Sequence, residues 1–273
     1  MSDVSPAILP TYDAPPVKHR IFSLPSVIAP ESYYARADEL KEAMMGFFEV
    51  YEPQQQWVLN VEQKNGIPQL HSMKHEVQVM HTFWHKSSDG QKLVGCLVEP
   101  DKLSVILRNL PKHSERFPAL KYWVEKVVPV WASILSPKIK VAILEYANIL
   151  SRDTVPEFVG KDGSLAVGEL LTVFAGFPGE HKGMAPPYDC QMGLIIDPDA
   201  HVYLNLRVHG LERQVANASA VQVDLQAFKR PSDHNLTAAE AVDSIDFLHN
   251  IIVEKFETVF TPRAKTAFQT KTT

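Results

Sequence analysis

His71, His75, His81 and His85 fall within one short stretch of this 273-residue chain, the last three inside HEVQVMHTFWH (75–85). Imidazoles so grouped suit a metal site or proton transfer. The alternation of residue types reads as a strand, on which alternate residues share a face, so His75, His81 and His85 point the same way. Distance then decides. At about 3.3 Å per residue, His75 and His81 stand roughly 20 Å apart and His81 and His85 roughly 13 Å. Zinc holds each imidazole nitrogen at about 2.1 Å, so no two of the three share an ion on a regular strand. His71 lies in a loop, NGIPQLHS, that could fold back towards His75. Those two are the remaining metal candidates and would need a carboxylate from elsewhere. The expectation is a strand and no metal.

Two further stretches carry possible chemistry. In the loop GFPGEHKG (176–183), Gly179 and Gly183 could free main-chain amides to hold an anion, with His181 and Lys182 adding charge. It lacks the spacing of a phosphate-binding P-loop, and a plain Gly/Pro connector is the competing reading. Glu145, Tyr146 and Asn148 sit within the apolar strand-like run KIKVAILEYANILS (138–151). Buried polar groups there need hydrogen-bond partners. Glu145 beside Tyr146, with His75, is the candidate acid–base set. No nucleophile-elbow, zincin or dinucleotide motif occurs, so no cofactor is expected and catalysis is left open, with a lean against it.

The elements that would carry these residues are legible. VKHRIFSL (17–24) reads as a first strand closed by Pro25, and residues 30–51 as an amphipathic helix capped by Ser32. Four strand-like runs follow at 54–63, 75–86, 91–100 and 102–110, joined by turn chemistry at NG, SSDG and PD. A second helix covers 116–135, with Pro129 as a candidate kink. Strand 138–151, a short helix at 167–174, and strands 188–197, 201–210 and 220–228 come next. A closing helix starts at Thr237 and runs to 260.

This order predicts an α+β fold of two β-α-β(3-4)-α halves, with an antiparallel curved sheet and long helices on one face, as in TATA-binding-protein-like or helix-grip folds. The first half spans 17–136 and the second 137–262, either as two domains or as one continuous sheet. Residues 1–16 are expected to be extended or disordered and 263–273 a flexible tail.

Hydrophobic content of 45% with 22% charged residues fits an ordinary globular chain. The net charge of −5 divides as −1 over 1–136 and −4 over the rest, which argues against binding driven by nucleic-acid phosphates. Cys96 and Cys190 lie in apolar runs and form no C-x-x-C pair, which excludes a disulfide framework or cysteine zinc site. The opening MSDVSPAILPTYDAPP has early acids and no apolar core of signal-peptide length, and no run suits a membrane helix. A cytoplasmic chain is expected.

APPVKHRIFSL, KLSVILRNL followed by FPALKYWVEKVV, IKVAILEYANIL and the terminal FLHNIIVEKFETVFTP together resemble a sporadically distributed bacterial family of uncharacterised proteins, over about residues 14–268. The family's first-strand Glu is replaced here by VKHR. Its Leu-Arg-Tyr-Asn core becomes Leu144-Glu145-Tyr146-Ala147-Asn148, acidic at the arginine position and one residue longer. The resemblance implies fold and no activity. Its sporadic distribution implies an accessory system such as phage defence or toxin–antitoxin.

The functional expectation is a soluble, non-catalytic binding or regulatory protein working through a protein partner or self-association. The alternatives are a hydrolase or nuclease with a spatially assembled site, and nucleic-acid or apolar-ligand binding by the curved sheet.

Overall fold

The first strand, β1 (Val17–Val27), is longer than its sequence suggests because it passes through Pro25. Proline lacks a donor but keeps its acceptor. Pro25 takes a hydrogen bond from the Lys140 amide at 2.9 Å, while the next amide, Ser26, reaches the Asp101 carbonyl at 2.7 Å. The computed structural model describes residues 16–57, 60–64, 67–72, 77–110, 116–161, 165–174, 189–211, 220–231 and 233–269.

The expected helix over 30–51 is two helices, α1 (Pro30–Ala35) and α2 (Ala37–Met45), broken at Arg36. Ala29, not Ser32, occupies the cap position, and Pro30 starts the first turn. The break turns the Arg36 side chain towards α3 (Phe117–Leu135), where it donates to the Ile134 carbonyl near that helix's C-terminus. A cation is favoured there by the partial negative charge of the exposed carbonyls.

β2 (Val50–Trp57), β3 (Asn60–Lys64), β4 (Ile67–Ser72), β5 (Val77–Lys86), β6 (Lys92–Glu99) and β7 (Lys102–Arg108) follow. β3 and β4 form a separate hairpin that the sequence reading had as strand end and loop. The α3 helix runs unbroken through Pro129. After it come β8 (Lys138–Ile139), β9 (Ala142–Leu150), a short helix α4 (Val167–Leu170), β10 (Asp189–Asp197), β11 (Val202–Leu211), β12 (Ala220–Lys229) and α5 (Ala238–Val259). Thr237 and Glu240 cap α5 reciprocally, each side chain taking the other's main-chain amide.

One antiparallel sheet holds ten of these strands in the order β10-β11-β12-β9-β1-β7-β6-β5-β2, with β8 on β1. The two halves therefore meet inside a single sheet, at β1 and β9. Outward from that seam the first half runs β1, β7, β6, β5, β2 and the second runs β9, β12, β11, β10. The second half lacks a counterpart of β2, and among the described residues no strand pairs with the outer edge of β10. The fold is α+β with a curved antiparallel sheet, as the element order predicts.

Side chains alternate across the sheet. Phe22, Leu24, Val105, Leu144, Val223 and Leu225 are buried on the face that carries α3 and α5, along with Leu120, Val127 and Trp131 of α3 and Ile245, Leu248 and Ile252 of α5. Glu145, Gln226 and Asn205 stand on the opposite, open face.

Residues 262–269 correct the expectation of a flexible tail. They form α6 (Pro262–Gln269), whose Phe268 is 1% exposed and meets Phe256 and Phe260 with ring centroids at 5.8 and 5.3 Å. A polar-looking stretch hides one aromatic anchor. Replacing Phe268 with Ala is expected to lower stability by about 3 kcal/mol in urea unfolding. A midpoint equal to that of the wild type would show the segment to be undocked.

Candidate binding site

At the seam, adjacent residues of β9 face opposite ways, and each face builds its own cluster. Tyr146 points to the helices. Its hydroxyl lies 2.7 Å from His249 Nδ1 on α5, and His249 stacks on Phe117 of α3 with centroids 3.7 Å apart and planes 8° from parallel. The Arg20 guanidinium of β1 lies over the Tyr146 ring, 5.3 Å from its centroid. Burial, reinforced by Arg20, pushes the His249 pKa down to about 4. Burial drives the Tyr146 phenol up, so at neutral pH the phenol donates and the imidazole accepts through Nδ1. Asn148, wholly buried, donates to the Tyr146 and Val223 carbonyls at 3.1 and 2.9 Å. This is a structural network: it ties β1, β9, α3 and α5 together.

Glu145 points the other way, to the open face. There Asn205 Nδ2 donates to Gln226 Oε1 at 3.2 Å, and Gln226 Nε2 donates to Glu145 Oε2 at 2.6 Å. The three form a ladder across β11, β12 and β9. Burial raises the Glu145 pKa, the Gln226 hydrogen bond opposes the rise, and the charge of Asp224 adds to it. Asp224 itself accepts from Gln222 Nε2 at 2.8 Å and lies 3.5 Å from His209 Nε2. Acidic and amide groups thus line the open face of the second half.

Beside this ladder, over β10 to β12, lies an open groove of about 430 Å³. Gly193, Ile195, Tyr203, Asn205, Phe228 and Arg230 are among its lining residues. Gly193 pairs directly with Asn205, and a Cβ at 193 would meet no atom within 4 Å. Tyr203 and Phe228 pair across β11 and β12, and the Arg230 guanidinium lies 6.0 Å from the Tyr203 ring centroid.

Several candidates from the sequence are not brought together. Glu145 and Tyr146 face opposite sides of the sheet, so they do not form an acid–base pair. His75 and the anion-loop candidates Gly179, His181, Lys182 and Gly183 lie outside the described residues. So does the side chain of His71, whose backbone belongs to β4 rather than a loop. Among the described residues, no group of three His, Cys, Asp or Glu could hold a metal ion. The remaining two histidines of HEVQVMHTFWH serve packing. His81 is buried, with Nδ1 2.9 Å from the Tyr51 hydroxyl and its pKa lowered by burial. His85 lies against Trp123 of α3, with Nδ1 2.8 Å from Glu49 Oε1. Tyr33 is fully buried and donates to the Val98 carbonyl at 2.9 Å, whereas its neighbour Tyr34 is exposed.

Sequence reasoning missed Asn205, Gln222, Asp224, Gln226, Arg20 and His249. The polar residues alternating along VYLNLRVHG and AVQVDLQAF held the signal for the open face, since period-two polarity marks a solvated side. Arg20 and His249 gave none, because their partners come from distant elements. Comparison with protein-family models, curated proteins and solved structures finds no match to this chain. The geometry alone carries the functional reading.

Two outcomes follow from these environments. Glu145 titrates higher in the folded chain than unfolded, so its ionised form opposes folding above that range. Glu145→Gln should therefore raise stability at pH 7 by about 1 kcal/mol in urea unfolding, and a destabilised variant would show the charge to be favourable where it is. His249 has the reverse dependence. Its folded pKa of about 4 lies below the ordinary imidazole value of 6.5, so the unfolded chain takes up the proton first and stability falls as pH drops from 6.5 to about 4. In His249→Asn the slope of unfolding free energy over that pH window should be shallower than in the wild type.

Proposed function

We propose that the protein is a non-catalytic binding or regulatory protein that takes up an extended strand of a protein partner at the outer edge of β10. One observation carries the reading: the second half repeats the strand order of the first but stops one strand short, and the described residues supply nothing at that edge. Edge strands present a row of unpaired main-chain donors and acceptors, and proteins usually blunt them with charge, proline or a cover. The stretch Gln191–Ile196 contains neither charge nor proline. Leu194 is 45% exposed and Ile195 68% exposed, the latter the most exposed large hydrophobic residue in the described chain. Strand addition uses such features together, with main-chain hydrogen bonds for affinity and alternate side chains for specificity.

The net charge of −5 favours a protein partner over a nucleic-acid backbone. Among the described residues no helix is long and apolar enough to cross a membrane, and a cytoplasmic setting is part of the proposal. A role in a bacterial accessory system, phage defence or toxin–antitoxin, is also part of it and rests on the family resemblance alone.

A photo-crosslinking residue at position 194, expressed in the native host, is the direct test, with position 122 on the helical side as comparison. The expected result is one dominant protein adduct from 194, absent from 122 and lost when Ile195 is changed to Lys. Adducts only within the chain itself, or equal adducts from both positions, would overturn the reading.

A further inference from the structure

We propose that the groove over Gly193 is a binding site for a small planar ring compound carrying an N–H donor and an acidic arm. This goes beyond the partner-strand reading, because it uses the open face of the sheet and not the main-chain edge of β10. Phe228 and Arg230 line one side of the groove, and Gln226 precedes them on β12 as the partner of Asn205. Gln226, Phe228 and Arg230 succeed one another on or just past β12, about 6.6 Å per two residues on an extended chain. The first of these fixes Asn205, the second supplies a ring, and the third supplies a guanidinium.

The amide end has a set orientation. An ionised carboxylate only accepts, so Glu145 draws the Gln226 NH2 group towards itself. That turns Gln226 Oε1 to Asn205, which commits an amide hydrogen to it. Asn205 then offers a ligand its Oδ1 acceptor, which calls for a donor, beside the one remaining Nδ2 hydrogen. Gly193, directly across the strand pair, puts no side chain in the way.

The middle of the groove is a platform of Tyr203 and Phe228, opposite each other on adjacent strands, with Ile195 beside them. Offset or edge contacts with such rings favour a flat unsaturated body. At the far end, Arg230 offers a planar fork of donors that suits a carboxylate or phosphate. An open groove of about 430 Å³ that mixes aromatic and polar groups lies in the size range of small-molecule sites.

Indole-3-acetate carries the three required groups and serves as the probe, followed by saturation-transfer NMR and by the shift of the Gly193 amide. Naphthalene-1-acetate lacks the N–H and indole-3-acetamide lacks the charge. Saturable binding of indole-3-acetate is expected at millimolar concentration or below, with both analogues weaker by roughly tenfold, the equivalent of about 1.4 kcal/mol for each lost contact. Gly193→Leu fills the groove where a Cβ meets nothing, so the strand accepts it, and it should abolish binding while leaving the circular dichroism spectrum and unfolding midpoint unchanged. Arg230→Gln should remove the preference for the acid over the amide. The proposal is overturned if the intact protein shows no saturable binding, if folded Gly193→Leu binds as the wild type does, or if acid and amide bind alike. The crosslinking result at position 194 is read separately, so either proposal can fail alone.

Discussion

The pairing of β1 with β9 is the constraint on which the rest of the molecule depends. Seven strands hang outward from these two, four on one side and three on the other, and both long helices lie across their inner face. The register there is set twice over. One-residue slippage would carry Glu145 into the apolar layer beneath α5 and bring Tyr146 out to solvent. Arg20 over Tyr146 opposes that slip between β1 and β9, while the Tyr146–His249 and Glu145–Gln226 hydrogen bonds hold β9 in phase with α5 and β12.

Because register is fixed at the centre, polar groups from three strands stay aligned on the open face. A ladder of Asn205, Gln226 and Glu145 needs each strand to hold its phase relative to the next, which the continuous β9, β12 and β11 pairing supplies. Keeping Glu145 half-buried beside Asp224 works against stability. A sheet selected only for stability would place apolar or neutral residues there.

Much of the fold was legible because its causes are local. Alternation gave β5 to β7 and β10 to β12, Thr237 gave the start of α5, and the succession of strand runs and long helices gave α+β. What was not legible depended on tertiary partners. Arg36 breaks a helical pattern at the point where its side chain meets α3, and Pro25 stays within a strand because its carbonyl has a partner in Lys140. The C-terminal α6 looked like a tail because its core contact rests mainly on Phe268 in otherwise polar sequence. At the site, Glu145 and Tyr146 were singled out correctly as polar groups in an apolar strand, and period two already implied that they part company. Their partners, Gln226 and His249, lie 81 and 103 residues along the chain, beyond the reach of any local pattern.

The seam also sets the order in which the chain can be finished as it leaves the ribosome. β1 can meet β7 once residue 108 is available, and the first half can close over α3 once residue 135 has followed. Its other edge must wait for β9, whose pairing residues extend to Asn148. Until then the future centre of the sheet is a bare flank of a half-made protein, the kind of surface that chaperones guard and that sticks to its neighbours. Its pattern of Arg20, Ser23 and Pro25 among Ile21, Phe22 and Leu24 interrupts what would otherwise be an unbroken apolar, aggregation-prone strand.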